Sequence, residues 1–204
     1  MDKVLEVSSA EEWRAWLAAA RETSVWLVIR RKGSAVPGVR IHEAMEQALC
    51  FGWIDSKALR RDAESTYLCF TPRKPGSTWS RVNRERVARL TAAGLMTPAG
   101  QAVVDLARRT GTWEVLAEAQ DGVVPPDLRT ALDADAVSAR YFAEFPPSSR
   151  RLILEWIARA KRPETRQRRI ATTVALAREN RRAAHPPVRG GGRGELKKKK
   201  KTPP

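Results

Sequence analysis

The spacing of hydrophobic positions in the first third of the chain predicts two helices and three strands. Ser9 and Glu12 match a capping box, in which the side chains at the cap and at the third helical position bond each other's backbone. The helix that follows has four apolar residues at 3.6-residue spacing: Trp13, Trp16, Leu17 and Ala20. An apolar, β-branched run over residues 25–29 predicts a strand, and residues 41–51 predict a second helix that ends at Gly52. The segments IDSKALR and STYLCFT predict two further strands around the polar turn RDAE.

From residue 77 onward the pattern is helical throughout. Ser77 or Thr78 is expected to cap a helix that runs to Ala93, and Thr97 followed by Pro98 predicts the next helix. A short helix is expected over residues 113–119. Four more helices are predicted to begin at Pro125-Pro126, at Asp133 or Asp135, at Ser148 and after Arg162. Their expected inner positions are Leu128 and Leu132; Val137, Tyr141 and Phe142; Leu152, Ile153, Trp156, Ile157 and Ala160; and Ile170, Val174 and Ala177.

These elements together predict an α+β fold. A small antiparallel sheet of about three strands carries the N-terminal helices, because an isolated hairpin is not stable in water, and an all-helical C-terminal half follows. We expect residues 1–184 to form a single domain, with an α+β part over 1–75 and a helical part over 76–184. Residues 185–204 contain Gly, Pro and Lys with almost nothing to bury, which predicts a disordered basic tail.

The positive charge of the chain is concentrated towards its C-terminal end. The net charge is +15, yet residues 1–147 carry 20 basic against 19 acidic residues. Residues 148–184 carry 11 against 3, and residues 185–204 carry 7 against 1. This asymmetry indicates an acidic partner, which is nucleic acid, an anionic membrane surface or another protein.

Several functional classes lack their sequence signatures. No apolar run approaches the ~20 residues of a transmembrane segment, and the N-terminus lacks the apolar region of a secretory signal, so we expect a cytoplasmic protein. Cys50 and Cys69 form no CxxC pair and are expected to be buried thiols. His42 and His185 are the only histidines, and no nucleotide-binding loop is present. We therefore predict no catalytic residues, no metal and no cofactor.

Two neighbouring stretches, ALCFGWIDS and TPRKPGSTWS, fit either construction of the fold or ligand binding. A carboxylate such as Asp55 is costly in an apolar strand unless it is paired or exposed, so Asp55 either has a structural role, as a cap or in a salt bridge to a nearby arginine, or anchors a pocket beside Trp53. Arg73 and Lys74 precede a predicted helix start, where free N–H groups favour anions. The candidate ligand- or anion-binding residues are Trp53, Asp55, Arg73, Lys74, Ser77, Trp79, Ser80 and Asn83.

The second candidate site is the basic segment ARAKRPETRQRRIA at residues 158–171. Basic helices are commonly solvated faces, but five consecutive lysines in the tail favour contact with a phosphate backbone. No motif for reading a base sequence is present, so any nucleic-acid binding is expected to be electrostatic. The candidate polyanion-binding residues are Lys161, Arg162, Arg166, Arg168, Arg169, Lys197, Lys198, Lys199, Lys200 and Lys201.

Six segments between about residues 10 and 182 carry a family resemblance: ALCFGWIDS, FTPRKPGSTWSRVNRERVARL, GLMTPAG, GTWE, VPPDLRTAL and AKRPETRQRRIATTVALA. In this order they resemble the YdeI/OmpD-associated family, also called bacteriocin-protection proteins. The resemblance implies a small bacterial α+β protein with a role in envelope stress or in tolerance of bacteriocins, and an outer-membrane porin as an associate. It implies no catalytic residues. The segment RIHEAMEQA and the Lys-rich tail depart from the family pattern.

Three functions from different classes remain open. The first, which the resemblance and the lack of a catalytic set favour, is a non-enzymatic interaction protein of the stress or bacteriocin-protection type with a protein partner. The second is a nucleic-acid-associated basic protein without sequence specificity. The third is a small anionic-ligand binder or enzyme that uses the region of Trp53, Asp55, Arg73 and Trp79, and it predicts a concave apolar pocket with convergent polar groups there.

Overall fold

The structure of the chain, a computed structural model, describes residues 3–184. The chain divides into two compact units, Met1–Val123 and Val124–Pro204. We expected one domain whose helical part begins at residue 76, whereas the helices between residues 81 and 120 group with the sheet in the N-terminal unit. The α+β prediction is confirmed, with about half of residues 3–184 in helices. The predicted disordered tail lies outside the described residues.

The N-terminal unit is built on a four-stranded mixed sheet with the order β1-β2-β4-β3. Its strands are β1 Val4–Leu5, β2 Val25–Arg30, β3 Trp53–Arg60 and β4 Ser65–Pro72. Strands β2, β3 and β4 form the antiparallel part that was predicted, while β1 pairs with β2 in parallel and was missed. Two residues are too few to show an alternating pattern, and β1 exists only because the backbone of β2 pairs with it.

The turn between β3 and β4 is held by one aspartate. The two carboxylate oxygens of Asp62 accept bonds from the backbone N–H of Glu64 at 2.8 Å, the N–H of Ser65 at 2.7 Å and the hydroxyl of Ser65 at 2.8 Å. Aspartate favours turns because its short side chain can bond backbone groups two or three residues further on. These three bonds lower the pKa of Asp62, and the bond from the Ser65 hydroxyl is the largest cause. The predicted hairpin around RDAE is therefore confirmed.

Five helices complete the described part of the N-terminal unit: α1 Ala10–Ala19, α2 Ile41–Cys50, α3 Arg81–Ala92, α4 Pro98–Arg109 and α5 Ala117–Gln120. The predicted caps Ser9 and Thr97 are confirmed, since each side-chain oxygen accepts from a backbone N–H three residues on. The prediction that Ser77 or Thr78 caps α3 is wrong, because the cap is Ser80. The backbone N–H of Ser77 instead donates to the carbonyl of Lys74 at 2.9 Å and closes a turn ahead of the helix.

Two hydrophobic clusters stabilise the N-terminal unit. The first, which we call the sheet cluster, lies where α1 and α2 pack on the sheet, and it includes Trp13, Leu27 and Phe70. The Trp13 ring stacks on Trp16 at 5.2 Å, and its indole N–H donates to the carbonyl of Ala44 at 3.1 Å. The second, the helix cluster, joins the end of α2 to α3 and α4; its buried members are Leu49, Cys50, Trp79, Val87, Leu90, Val104 and Ala107.

The described part of the C-terminal unit is helical: α6 Pro126–Asp133, α7 Ala136–Glu144, α8 Pro147–Ala158 and α9 Pro163–Arg178. Asp135 caps α7 as predicted, but α8 begins at Pro147 rather than after a Ser148 cap. Val137 and Leu152 were expected to face inward and are exposed. On α7, Ser138 takes the buried position, and its hydroxyl donates to the carbonyl of Val174 at 3.0 Å.

No helix within residues 3–184 combines the length and the apolar character that crossing a bilayer requires.

Candidate functional site

The first pair of candidate residues lies at the start of β3. Trp53 is buried in the sheet cluster and meets the Trp16 ring edge-on at 5.8 Å between centroids. Asp55 is half-buried and faces Phe70 in the strand register. Its negative charge raises the pKa of Arg73, the residue after β4, while direct pairing of Asp55 with an arginine stays a prediction. Trp53 therefore contributes to packing, and the charge of Asp55 acts on a buried cation.

Arg73 is the most unusual charged residue of the candidate set because it is only 8% exposed. Its guanidinium carbon lies 3.7 Å from the centroid of the Trp79 ring, and one guanidinium nitrogen donates to the carbonyl of Thr78 at 3.1 Å. Burial lowers the pKa of Arg73 to about 10, although the charge of Asp55 opposes this shift. Arg73 is still a cation at neutral pH. Its guanidinium makes a cation–π contact with the Trp79 ring and a hydrogen bond to the loop before α3.

Trp79 belongs to the helix cluster and is 1% exposed. The Trp79 ring also meets the Trp113 ring at a tilt of 45° with 4.9 Å between centroids, and the guanidinium of Arg108 lies 5.1 Å from the Trp113 centroid. Arg73, Trp79, Trp113 and Arg108 thus form a column in which two aromatic rings lie between two cations. Such a column fixes the segment that leads into α3, and it favours core packing over ligand contact as the role of Trp79.

The remaining candidates around α3 have mixed positions. Lys74 is exposed, and Ser77 lies in the turn before the helix. The Ser80 side chain accepts from the backbone N–H of Asn83 at 3.4 Å, while the Asn83 side-chain oxygen accepts from Arg86 at 3.0 Å. Anion binding at this helix start stays a prediction, and one first-turn N–H group that it would need is already bonded to Ser80.

The basic segment at the start of α9 separates into two kinds of residue. Arg166 forms a two-bond ion pair with Asp127 at 2.6 and 2.9 Å, and Arg169 lies 5.0 Å from the Trp156 ring centroid and donates to its carbonyl. Lys161, Arg162 and Arg168 are exposed and make no ion pair with any of residues 3–184. Among the candidate polyanion-binding residues that the structure describes, only these three have an exposed positive charge without an ion-pair partner. Lys197 to Lys201 lie outside the described residues.

One feature that the sequence did not indicate is a cavity of about 540 Å³ in the N-terminal unit. Residues Arg31 and Lys32, which follow β2, and Arg40 and His42 at the start of α2 contribute to its lining. In the sequence, the Gly- and Pro-containing stretch between these two pairs indicated only a loop. The available signal was the recurrence of basic residues on both sides of that loop.

The described residues contain no group of three or more His, Cys, Asp or Glu side chains that could hold a metal ion. Both cysteines are buried and free. Burial raises the pKa of Cys50, which keeps the group a thiol rather than a thiolate ligand or nucleophile.

Comparison with known protein families divides the chain into two segments. Residues 5–103 match a domain of unknown function (DUF8412), and residues 121–180 match the family described as bacteriocin-protection, YdeI or OmpD-associated. No curated protein and no solved structure matches the chain. The resemblance that was expected from residue 10 to 182 is thus confirmed for the C-terminal segment. Residues 121–180 of this chain are therefore similar to the bacteriocin-protection, YdeI or OmpD-associated family.

Proposed function

We propose that this chain is a non-enzymatic interaction protein that protects the cell against bacteriocins or related envelope stress by binding a protein partner. The observation that carries the proposal is the family match over residues 121–180. That segment contains α6 to α9 and therefore the exposed cations at the start of α9. An acidic surface on the partner is the complementary chemistry.

Two carboxylates of the C-terminal unit are engaged in structural contacts, which supports binding rather than catalysis as the function. Asp127 is held by Arg166, and the hydrogen bond from Arg166 lowers the pKa of Asp127. The backbone N–H of Ser138 donates to Asp135, which lowers the pKa of Asp135 at the start of α7. These two carboxylates stabilise helix ends and helix contacts, so neither is poised as a general acid or base near neutral pH.

The test compares survival of the native host in bacteriocin when the gene is deleted and then restored. We expect deletion to raise sensitivity, the intact gene to restore tolerance, and the variant Lys161→Glu/Arg162→Glu/Arg168→Glu to fail in restoring it. A matched control reverses three exposed charges of the N-terminal unit, with the same change in net charge: Arg21→Glu, Lys57→Glu and Arg109→Glu. Unchanged sensitivity on deletion, or equal loss with both triple variants, would contradict the proposal.

Affinity capture from the same host under bacteriocin stress identifies the partner, and the porin association implied by the family name is one expected result. The cytoplasmic location expected from the sequence stays a prediction, which cell fractionation in the same experiment tests. Recovery of a partner by the intact chain but not by the variant at Lys161, Arg162 and Arg168 would assign the contact to the start of α9.

A second candidate function is electrostatic binding of nucleic acid, and it is favoured by the three unpaired cations at the start of α9. Duplex binding should weaken steeply with salt, and each lost phosphate contact should reduce the slope of log affinity against log salt by about 0.9. The variant Lys161→Glu/Arg162→Glu/Arg168→Glu should therefore reduce the slope by up to about 3. Comparing the slope with and without residues 185–204 measures how many of the phosphate contacts the tail makes. A flat salt response would exclude this function.

A further inference from the structure

The cavity of the N-terminal unit has an apolar floor that the proposed function does not use. Ile29, Ala58 and Leu68 come from three neighbouring strands, and Ala58 pairs with Leu68 in the register. Ile41, the first residue of α2, also lines the cavity and is 58% exposed. At about 540 Å³ the cavity falls within the range of small-molecule pockets. Ile41 therefore adds exposed apolar surface to the lining of the cavity.

The rim of the cavity is cationic. Arg31 and Lys32 are exposed and make no ion pair with any of residues 3–184, and His42 also lines the cavity. Arg40 is fixed at the rim because its guanidinium donates to the backbone carbonyls of Arg31 and Ser34. The lining contains no carboxylate.

Acidic residues on the neighbouring segments are already engaged. Glu43 accepts from the backbone N–H of Arg40 at 2.7 Å, and Glu64 accepts from the hydroxyl of Ser34 at 3.0 Å. Glu6 pairs with the side chain of Arg30, whose position lines the cavity as well. Glu43 and Glu64 keep their negative charge, but Arg31, Lys32 and Arg40 outnumber them, so the rim presents a net positive charge to an incoming molecule.

We propose that this cavity binds a small organic anion with an apolar body, of the class of medium-chain carboxylates. The apolar chain lies on Ile29, Ala58 and Leu68, and the carboxylate lies at the rim near Arg31 and Lys32. Burial of the chain drives binding, and each buried methylene raises affinity about fourfold. The rim selects the sign of the charge, because a cation of the same shape meets like charges. This site is independent of the cations on α9.

The experiment uses the full chain and three probes of equal length: octanoate, octan-1-ol and octylammonium. Isothermal titration and NMR shift changes measure affinity and location. We expect octanoate to bind at least about tenfold more tightly than octanol, and octylammonium to bind most weakly. Hexanoate should bind about fifteenfold more weakly than octanoate, since it lacks two methylenes. Equal binding of octanoate and octylammonium, or no binding of octanoate, would overturn the proposal.

Two sets of variants locate the site. Ala58→Trp fills the cavity and should reduce octanoate affinity at least about tenfold, whereas Leu59→Trp adds the same ring to the opposite face of β3 and should leave affinity unchanged. Arg31→Glu/Lys32→Glu alters exposed residues that the fold does not need, and it should weaken octanoate but not octanol. If Ala58→Trp does not fold, as judged by circular dichroism, the octanoate affinity of the Arg31→Glu/Lys32→Glu variant still tests the proposal. Unchanged octanoate affinity in a folded Ala58→Trp, or in the rim variant, would refute this assignment.

Discussion

Replacing Gly100 with alanine is expected to destabilise the N-terminal unit, although alanine is normally the better residue in a helix. Gly100 lies in the first turn of α4, against the last residues of α2. A Cβ atom at Gly100 would lie 2.6 Å from the carbonyl carbon of Cys50 and 3.0 Å from the carbonyl oxygen of Leu49, and it would clash with the Cys50 oxygen itself. Both neighbours are backbone, so neither can rotate away.

The size of this destabilisation depends on the contacts between the end of α2 and the start of α4 that must break to accommodate the added Cβ atom. The carbonyl of Cys50 accepts from the backbone N–H of Thr97 at 3.1 Å and from its hydroxyl at 2.6 Å. Each of these bonds is worth about 1 kcal/mol, and overpacking adds about 1–3 kcal/mol. The helix preference for alanine returns at most about 1 kcal/mol. The expected loss in the free energy of unfolding is therefore about 2–4 kcal/mol.

Urea titration followed by tryptophan fluorescence measures this loss, because six of the seven tryptophans lie in residues 1–123. The control is Ala102→Gly on the exposed side of α4, which should cost about 0.5–1 kcal/mol through helix preference alone. If Gly100→Ala is as stable as the unmodified chain, the close approach of α4 to α2 is refuted as the reason for glycine.

Three further predictions concern charged and reactive side chains. Arg166 lowers the pKa of Asp127, so the pair stabilises the fold above the ordinary carboxyl pKa and loses this effect as pH falls through the lower folded value; Asp127→Asn should cost about 0.5–1 kcal/mol near neutral pH, and urea titration should find no difference in strong acid. Arg73→Ala should cost about 2 kcal/mol and shift Trp79 emission to longer wavelength as the ring gains solvent, and unchanged emission would contradict the stacking. Because burial raises the pKa of Cys50, this thiol should react with Ellman's reagent at least about 100-fold more slowly in the native than in the unfolded chain, and equal rates would contradict its burial.

Local signals were predicted well because their physics is local. Ser9, Thr97 and Asp135 cap helices through bonds to N–H groups within three residues, so the sequence alone contains both partners. The start of α3 was mispredicted although Ser77 and Ser80 have the same side chain. Burial of Trp79 between Arg73 and Trp113 holds the preceding segment out of the helix, and no short window of sequence contains that contact.

The candidate sites were predicted as residue types, whereas their roles depended on neighbours far along the chain. Arg166 and Arg168 are two positions apart in one basic helix, yet one is held by Asp127 and the other faces solvent. The pairing of Asp55 with an arginine stays one of two alternatives, and the negative charge of Asp55 does raise the pKa of the buried Arg73.

The sequence by itself determined the α+β class, most helix boundaries, the hairpin at Asp62 and the family resemblance of residues 121–180, because periodicity, caps and motifs act over a few residues. The tertiary structure decided the parallel strand β1, the boundary between Val123 and Val124, the column on Trp79 and the cavity with its cationic rim. Each of these depends on groups that are distant in sequence and adjacent in space, and only the packing of the folded chain brings them together.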